Sequence, residues 1–347
     1  MIMARNAAAR SERLPDLSRL LDLVGAFSRQ TILVIGDLVV DEYVTGEISR
    51  VSREAPVLIL RHRQTEIAPG GGANAANSLA DLGARVLLVG AVGHDPAGRE
   101  LLSYFRHKHL DTSGIVSVRG WTTTTKTRFL ARWAHTARQQ VLRVDREPEN
   151  SLSRGATKEI GRKVRARIAQ ANAVLVSDYG TGAISPQLLE GLRWKIATLD
   201  SRFRLLDYGT ARFSAATPNE PEIEALYHTK IGSDRGKLEY LGQKALRALG
   251  LQALLVTRGK DGMVLFERGK SSHDISVYGT EDAVDVTGAG DTVIAAFTLA
   301  LAAGATFSEA AHIANYAGGI VVTKRGTATV SRAELESAIR GEATAAR

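Results

Sequence analysis

The chain has no cysteine, which excludes a disulfide framework and a thiolate zinc site. That fits a reducing compartment. Aromatics are sparse at 5% while hydrophobic residues reach 44%, so aliphatic side chains must fill the core. No apolar run reaches the length of a membrane span. The stretch before Phe27 is interrupted by acids and lacks the compact apolar centre of a signal peptide. These absences predict a cytoplasmic protein. The charge that is present leans positive: 45 Lys and Arg against 37 Asp and Glu give +8. Such a balance suits a solvated surface, a phosphorylated small ligand or nucleic acid. No compact Lys/Arg tract with interleaved aromatics appears, so neither nucleic acid nor membrane is an expected partner.

At 347 residues the chain can form one large α/β domain with a small appended one. Leu17, Leu20, Leu21, Val24 and Phe27 fall at helical spacing and predict a short docking helix from about Asp16, within an N-terminal extension of residues 1–30. Thr31–Gly36 is a short β-branched run ending in glycine, the pattern of a buried strand entering a functional loop. Val57–Arg63, Thr122–Leu130 and Gln139–Asp145 are strand-like, Ala73–Leu82 is helical and Val86–Val89 is another strand. From Ser151 helical segments alternate with short apolar strands at Ala173–Ser177, Arg204–Leu206, Ala253–Thr257 and Met263–Phe266. That alternation predicts βαβ units and a mostly parallel sheet. Two Ala-rich helices follow, at about Asp291–Ala303 and Ser308–Thr323. The strands near 38–66 and 122–146 do not fit the βαβ series and predict a small separate sheet laid over the main domain, 31–340, as a lid. Residues up to about Pro15, and a tail of 341–347, look dispensable.

The strongest chemical signal is Asp285-Val286-Thr287-Gly288-Ala289-Gly290-Asp291 before a helix. The glycines let backbone approach a ligand closely. The helix then aims free N–H groups and its positive end at that ligand, which makes an anion site. An aspartate at the mouth of an anion site is electrostatically odd. It makes sense if it accepts a proton from a hydroxyl attacking phosphorus. A plain helix N-cap is the competing reading.

This run resembles the signature D-x-T-G-A-G-D of the ribokinase-like (PfkB) superfamily of sugar kinases. The resemblance implies a three-layer α/β/α fold with a β-sheet lid and an ATP-dependent phosphotransfer to a sugar alcohol. In this numbering it implies Gly288, Ala289 and Gly290 as the anion hole and Asp291 as the base. Gly70-Gly71-Gly72-Ala73-Asn74 stands about 215 residues earlier and resembles the family's G-G-x-x-N, although three glycines before a helix could be a mere turn. The resemblance implies that Gly71 and Gly72 admit the sugar and that Asn74 binds a hydroxyl. Asp37 and Asp41, in the run Ile35–Asp41, match the family's first strand and sugar-binding loop. A carboxylate at a strand's carboxyl edge can accept two hydroxyls, and an ordinary turn Asp is the alternative.

On the nucleotide side, Thr217–Glu222 resembles T-P-N-x-x-E. Asn219 and Glu222 stand three apart at a helix start, where they could cap the helix, hold Mg²⁺ through water, or both. Thr257, Gly259 and Gly262 match T-x-G-x-x-G, and Asn315 falls where the family packs a helix beside adenine. Lys324–Ser331 resembles the end of a monovalent-cation loop, which implies K⁺ beside ATP and Mg²⁺. The resemblance covers about residues 31–340.

One stretch narrows the subgroup. Gly46–Val57 is similar to the lid of D-glycero-β-D-manno-heptose-7-phosphate kinases, G-x-x-S-R-x-S-x-E-A-P-V. Thr125–Arg128, Gln139-Gln140, Arg143, Asp145, Glu147 and Ser177-Asp178-Tyr179 match it too. The subgroup resemblance implies phosphorylation at O1 on the way to ADP-heptose, with Asp178 beside the sugar. Arg50, Lys126, Arg128 and Arg143 are candidates for a phosphate already on the substrate; surface charge is the alternative for each. Two positions depart: Thr181 and Ser201-Arg202 replace Lys and Pro-Lys. The nucleotidyltransferase domain that many relatives carry is expected to be absent. A kinase for ribose, fructose or a nucleoside, and a non-catalytic sugar or nucleotide sensor, stay open as rivals. Family precedent implies a homodimer through the lid.

Overall fold

Strand β1 (Thr31–Gly36) is buried on both faces, so its apolar run is continuous. Ile32 and Val34 enter one core cluster, Leu33 and Ile35 the other. This computed structural model describes residues 15–132, 138–279 and 283–345. Parts of the expected extension (1–14), lid (133–137) and tail (346–347) therefore lie outside the described residues.

In chain order the elements are α1 (Leu17–Gly25), β1, β2 (Leu38–Val51), β3 (Leu58–Gly71), α2 (Gly72–Asp81), β4 (Arg85–Gly93), α3 (Pro96–His107) and β5 (Ile115–Val118). Then come β6 (Thr125–Arg132), β7 (Gln139–Arg146), α4 (Arg154–Ile168), β8 (Ala173–Asp178), β9 (Ala197–Ser201) and β10 (Ala215–Ala216). The remainder is α5 (Glu220–Leu226), α6 (Arg235–Ala248), β11 (Ala253–Thr257), β12 (Met263–Glu267), β13 (His273–Ile275), α7 (Ala289–Ala302), α8 (Phe307–Val321) and α9 (Arg332–Ala345).

The large sheet runs β13-β12-β11-β10-β9-β8-β1-β4-β5 and is parallel except where β12 pairs with β11 and β13. One core cluster holds α1, α2, α3, α7, α8 and α9 against one face; the other holds α4, α5 and α6 against the opposite face. This is the three-layer α/β/α arrangement. The second sheet, β3-β2-β6-β7, has antiparallel outer pairs and a parallel central pair. It grows directly from the site: β2 begins one residue after Asp37, and β3 returns to Gly71, where α2 starts.

Asp16 caps α1 by accepting from the Ser18 N–H at 3.0 Å. Leu20, Leu23 and Val24 on that helix are buried, and full burial of such a side chain contributes about 1.5–3 kcal/mol. Three local expectations need correction. The strand expected at Arg204–Leu206 is a 3-10 turn over Leu205–Tyr208, and the strand lies earlier, at β9. Leu205 is buried while Leu206 is 40% exposed, so that pair anchors a turn on one side only. The last helix continues past Gly341 to Ala345, and the Tyr316 hydroxyl donates to Glu342. Finally, β3 carries on to Gly71, beyond the expected lid limit.

Candidate active site

The carboxyl ends of β1, β8 and β9 meet the N-termini of α2 and α7, as expected for a site in a doubly wound sheet. Asp37 follows β1 and is completely buried. Its Oδ2 accepts the N–H groups of Tyr179 (2.9 Å) and Thr181 (3.1 Å). Its Oδ1 is buried without a partner among the described residues, and so is Asn74 Oδ1. Buried acceptors of this kind normally have donors; hydroxyls of a polyol would supply them. Burial, with Asp178 nearby, pushes Asp37 up to about 6.

Asp291 lies in the first turn of α7. Gly288 occupies the N-cap position and no side chain caps the helix, so Asp291 does not act as a cap. Its Oδ2 accepts from Asn74 Nδ2 at 2.9 Å, and its Oδ1 from the Tyr179 hydroxyl at 2.7 Å. Burial raises this carboxyl to about 7; the two hydrogen bonds oppose that rise and Asp41 adds to it. Gly288 has φ 77°, and a Cβ there would stand 2.6 Å from Asn74 Nδ2, so both conformation and space demand glycine. The Ala289 N–H donates to the Val286 carbonyl at 3.2 Å. That removes it from the expected anion hole. Gly290 lines the cavity beside the loop, and an added Cβ there would meet nothing within 4 Å.

Residues 29–334 match the profile described as pfkB family carbohydrate kinase. The chain belongs to that family. It is therefore an ATP-using carbohydrate kinase, a phosphotransferase with an alcohol acceptor. It is 38% identical over 325 residues to the "Bifunctional protein HldE" of Desulfatibacillum aliphaticivorans, covering 92% of this chain and 65% of the relative. With the protein of the same name from Geobacter sulfurreducens it shares 40% over 310 residues, covering 87% and 61%. The kinase thus spans less than two thirds of the length of these relatives. In fold it is similar to Arabidopsis thaliana ribokinase complexed with ribose and ATP (TM-score 0.68, 21% identity, 90% of this chain and 99% of that one). It is also similar to Escherichia coli phosphofructokinase-2 in complex with substrates and products (TM-score 0.72, 17% identity, 90% and 98%).

Beside the kinase's glycine loop, a cavity of about 220 Å³ is lined by Thr257, Gly259, Gly262, Val286, Gly290 and Asn315. It brings together nucleotide-side residues far apart in sequence. Asn315 donates its amide to the Ser276 carbonyl at 2.8 Å, so it anchors the cavity wall. A larger cavity of about 660 Å³ at Arg193, Trp194 and Arg212 lies before β9 and β10, at the sheet's opposite end, and we place the chemistry where the carboxylates converge. Asn219 and Glu222 form a reciprocal capping box at the start of α5 (2.8 and 2.9 Å). Burial nevertheless raises Glu222, and burial with Glu222 and Asp291 nearby raises Asp200 well above the usual range. Carboxylates crowded in this way suit a divalent cation. No set of three acidic or histidine side chains among the described residues could ligate one directly, so the fit is to a hydrated ion.

On the lid, Arg128 donates to Asp41 Oδ1 at 2.5 Å, and Thr327 donates to Asp41 Oδ2 at 3.1 Å. Two of the expected substrate-binding groups, Arg128 and Asp41, are thus paired with each other. Asp178 is likewise occupied: the Gly180 N–H (2.9 Å), Arg204 (2.8 Å) and Tyr208 (2.6 Å) all donate to its buried carboxylate. It braces the β8 turn. Arg50 stands near the exposed far end of β2, nine residues from Asp41, or roughly 30 Å along a strand. Lys126 and Arg143 do converge, sharing Asp145 (3.9 Å for Lys126, 2.6 Å for Arg143 Nε). Burial lowers Lys126, and the charges of Arg143 and Arg202 lower it further. Sequence reasoning assigned no role to Tyr179, Asp200 or Thr327. A polar residue at or just past a strand's carboxyl end was the available signal for the first two; for Thr327 it was the resemblance of Lys324–Ser331 to a monovalent-cation loop.

Proposed function

We propose that the kinase transfers the γ-phosphoryl group of Mg·ATP to the anomeric hydroxyl of a sugar already phosphorylated at its far end, D-glycero-β-D-manno-heptose 7-phosphate, in the cytoplasm. The observation that carries the reading is Asp291: a buried carboxylate with a raised proton affinity, held by Asn74 and Tyr179 beside an anion loop. Its proton affinity suits a general base near neutral pH. Asp37 Oδ1 and Asn74 Oδ1 supply acceptors for sugar hydroxyls. The missing side chains of Gly71 and Gly72 make room for the Tyr179 ring and for the Gly36 backbone, which brings the start of α2 against the end of β1. As Asp291 accepts the hydroxyl proton, the oxygen attacks the γ-phosphorus, the bond from that phosphorus to the bridging oxygen breaks, and ADP leaves. The N–H groups at Gly288 and Gly290 then meet charge developing on the phosphoryl oxygens, a contribution worth roughly 10²–10³-fold per donor.

Thr257, Gly259, Gly262 and Asn315 would border the nucleotide. Glu222, with Asn219 and Asp200, would hold hydrated Mg²⁺, which supplies positive charge against the phosphates. Lys126 and Arg143 from the lid, with Arg202 from the body, would take the phosphate already on the sugar. Arg202 stands where the resemblance expects a lysine. For K⁺, the supporting feature is Asp285, which ties the 325–331 segment to the glycine loop by accepting the Gly326 and Thr287 N–H groups (both 2.9 Å). The lid leaves Val51, Leu58, Leu142 and Val144 exposed, between 43% and 57%. A second copy of the lid would cover them and protect the sheet edges.

An ADP-release screen over sugars and sugar phosphates tests the substrate. Better turnover of free ribose, fructose or a nucleoside than of any sugar phosphate would reject the heptose phosphate. No ADP release with any acceptor would favour the binding-sensor alternative.

A further inference from the structure

We infer that Tyr179 is a positioning residue for the phosphotransfer, holding the Asp291 carboxylate in its working orientation and fastening it to the sugar-binding Asp37. The inference rests on the reading of Asp291 as the base.

Tyr179 touches both carboxylates of the site by different atoms. Its backbone N–H donates to Asp37 Oδ2 at 2.9 Å, and its hydroxyl donates to Asp291 Oδ1 at 2.7 Å. The ring lies against Gly71, where a Cβ would stand 3.1 Å from Tyr179 Cδ2. A side chain at position 71 would therefore press on the ring that aims the hydroxyl. Asn74, from α2, holds the other oxygen of Asp291 at 2.9 Å. An ionised carboxylate offers about four acceptor positions. Two donors fixed on different oxygens stop the group from rotating and leave one lone pair on each oxygen for a substrate hydroxyl. Fixing a base in this way lowers the reorganisation needed when the proton moves.

The hydroxyl also has an electrostatic consequence. The acidic groups facing Asp291 are Asp41 from β2 and Asp200 at the end of β9; the contact from α2 is the neutral Asn74. Burial and like charge both favour the protonated acid. The Tyr179 hydroxyl and the Asn74 amide favour the carboxylate. Tyr179 itself is held protonated, since burial and Asp291 push its phenol well above the usual range. It remains a donor at every working pH and does not compete as a base.

The test is the pH dependence of kcat at saturating substrates, with the thermal midpoint measured on each variant. Loss of this donor to a charged group should move the protonation of Asp291 by roughly one to two pH units. Tyr179→Phe should move the acidic limb of kcat upward by about that amount. Replacing Tyr179 with 3-fluorotyrosine keeps the hydroxyl but makes it a stronger donor, and should move the limb the other way. A residue that only fills space would scale kcat equally at all pH values. Unmoved limbs in both variants, or in the fluorotyrosine protein alone should Tyr179→Phe not fold, overturn the inference. Asp291→Asn separates the two levels. Near-normal kcat there removes the base itself, whereas an inactive Asp291→Asn with unmoved Tyr179 limbs removes only the positioning role.

Discussion

Replacing Asp291 with Asn should uncouple stability from activity in a way only a buried base can. The wild-type carboxyl has its affinity for protons raised from 3.8 to about 7 by burial. That difference corresponds to something on the order of 4 kcal/mol between protonation states. The sign follows from linkage: the folded state binds this proton more tightly than the unfolded chain. The associated stability is complete below about pH 4 and is lost as pH rises towards 7. Asn never ionises and escapes that loss. It keeps one acceptor, so one of the Asn74 and Tyr179 donors goes unsatisfied, returning roughly 1–3 kcal/mol. Above pH 7 the variant should therefore equal or exceed wild type by about 1–3 kcal/mol, a few degrees in Tm. Near pH 4 it should be the less stable of the two. At the same time kcat should fall at least about 10²-fold with ATP affinity nearly unchanged. Thermal melts from pH 4 to 9 and kinetics on the same preparations provide both readings. A Tm difference that does not change with pH would refute the buried-carboxylate argument. Near-normal kcat would refute the assignment of the base.

Three further outcomes are expected. Gly288→Ala forces a side chain into the left-handed region and against the Asn74 amide; it should cost about 1–2 kcal/mol or more in a urea melt and depress kcat, and an unchanged midpoint would contradict the close approach. Lys126→Ala or Arg143→Ala should raise KM for a sugar phosphate roughly 10-fold or more and leave KM for ATP alone; equal effects on both would place these groups at the nucleotide instead. Glu222→Gln keeps an acceptor for the capping box but loses the charge, so the Mg²⁺ concentration for half-maximal rate should rise about 10-fold; no change in Mg²⁺ dependence would assign Glu222 to capping alone.

Much of the architecture was legible in the sequence because it rests on local pattern. The alternating strands and helices after Ser151, the apolar run of Thr31–Gly36 and the 3.6-residue spacing of Leu17–Phe27 each follow from side-chain periodicity. The glycine loop at 285–291 was legible because a positive φ and a close approach leave few alternatives to glycine. The strand at Ala197–Ser201 was not, since its Thr and Asp interrupt the apolar pattern and a deceptive Leu pair follows at the turn. Which charges are free was undecidable in one dimension. Arg128 and Asp41 both read as ligand-binding groups, and only the register of β2 against β6 sets them against each other. Asp178 and Asp37 look alike as strand-end acids, yet the Gly180 N–H fills one oxygen of Asp178 and Arg204 with Tyr208 the other, while Asp37 keeps a vacant one. Tyr179 bonds Asp291 across 112 residues of chain. Sequence pattern carries short-range geometry and the demand for glycine. The partner of each buried charge is set by non-local pairing, and the tertiary structure alone decides that.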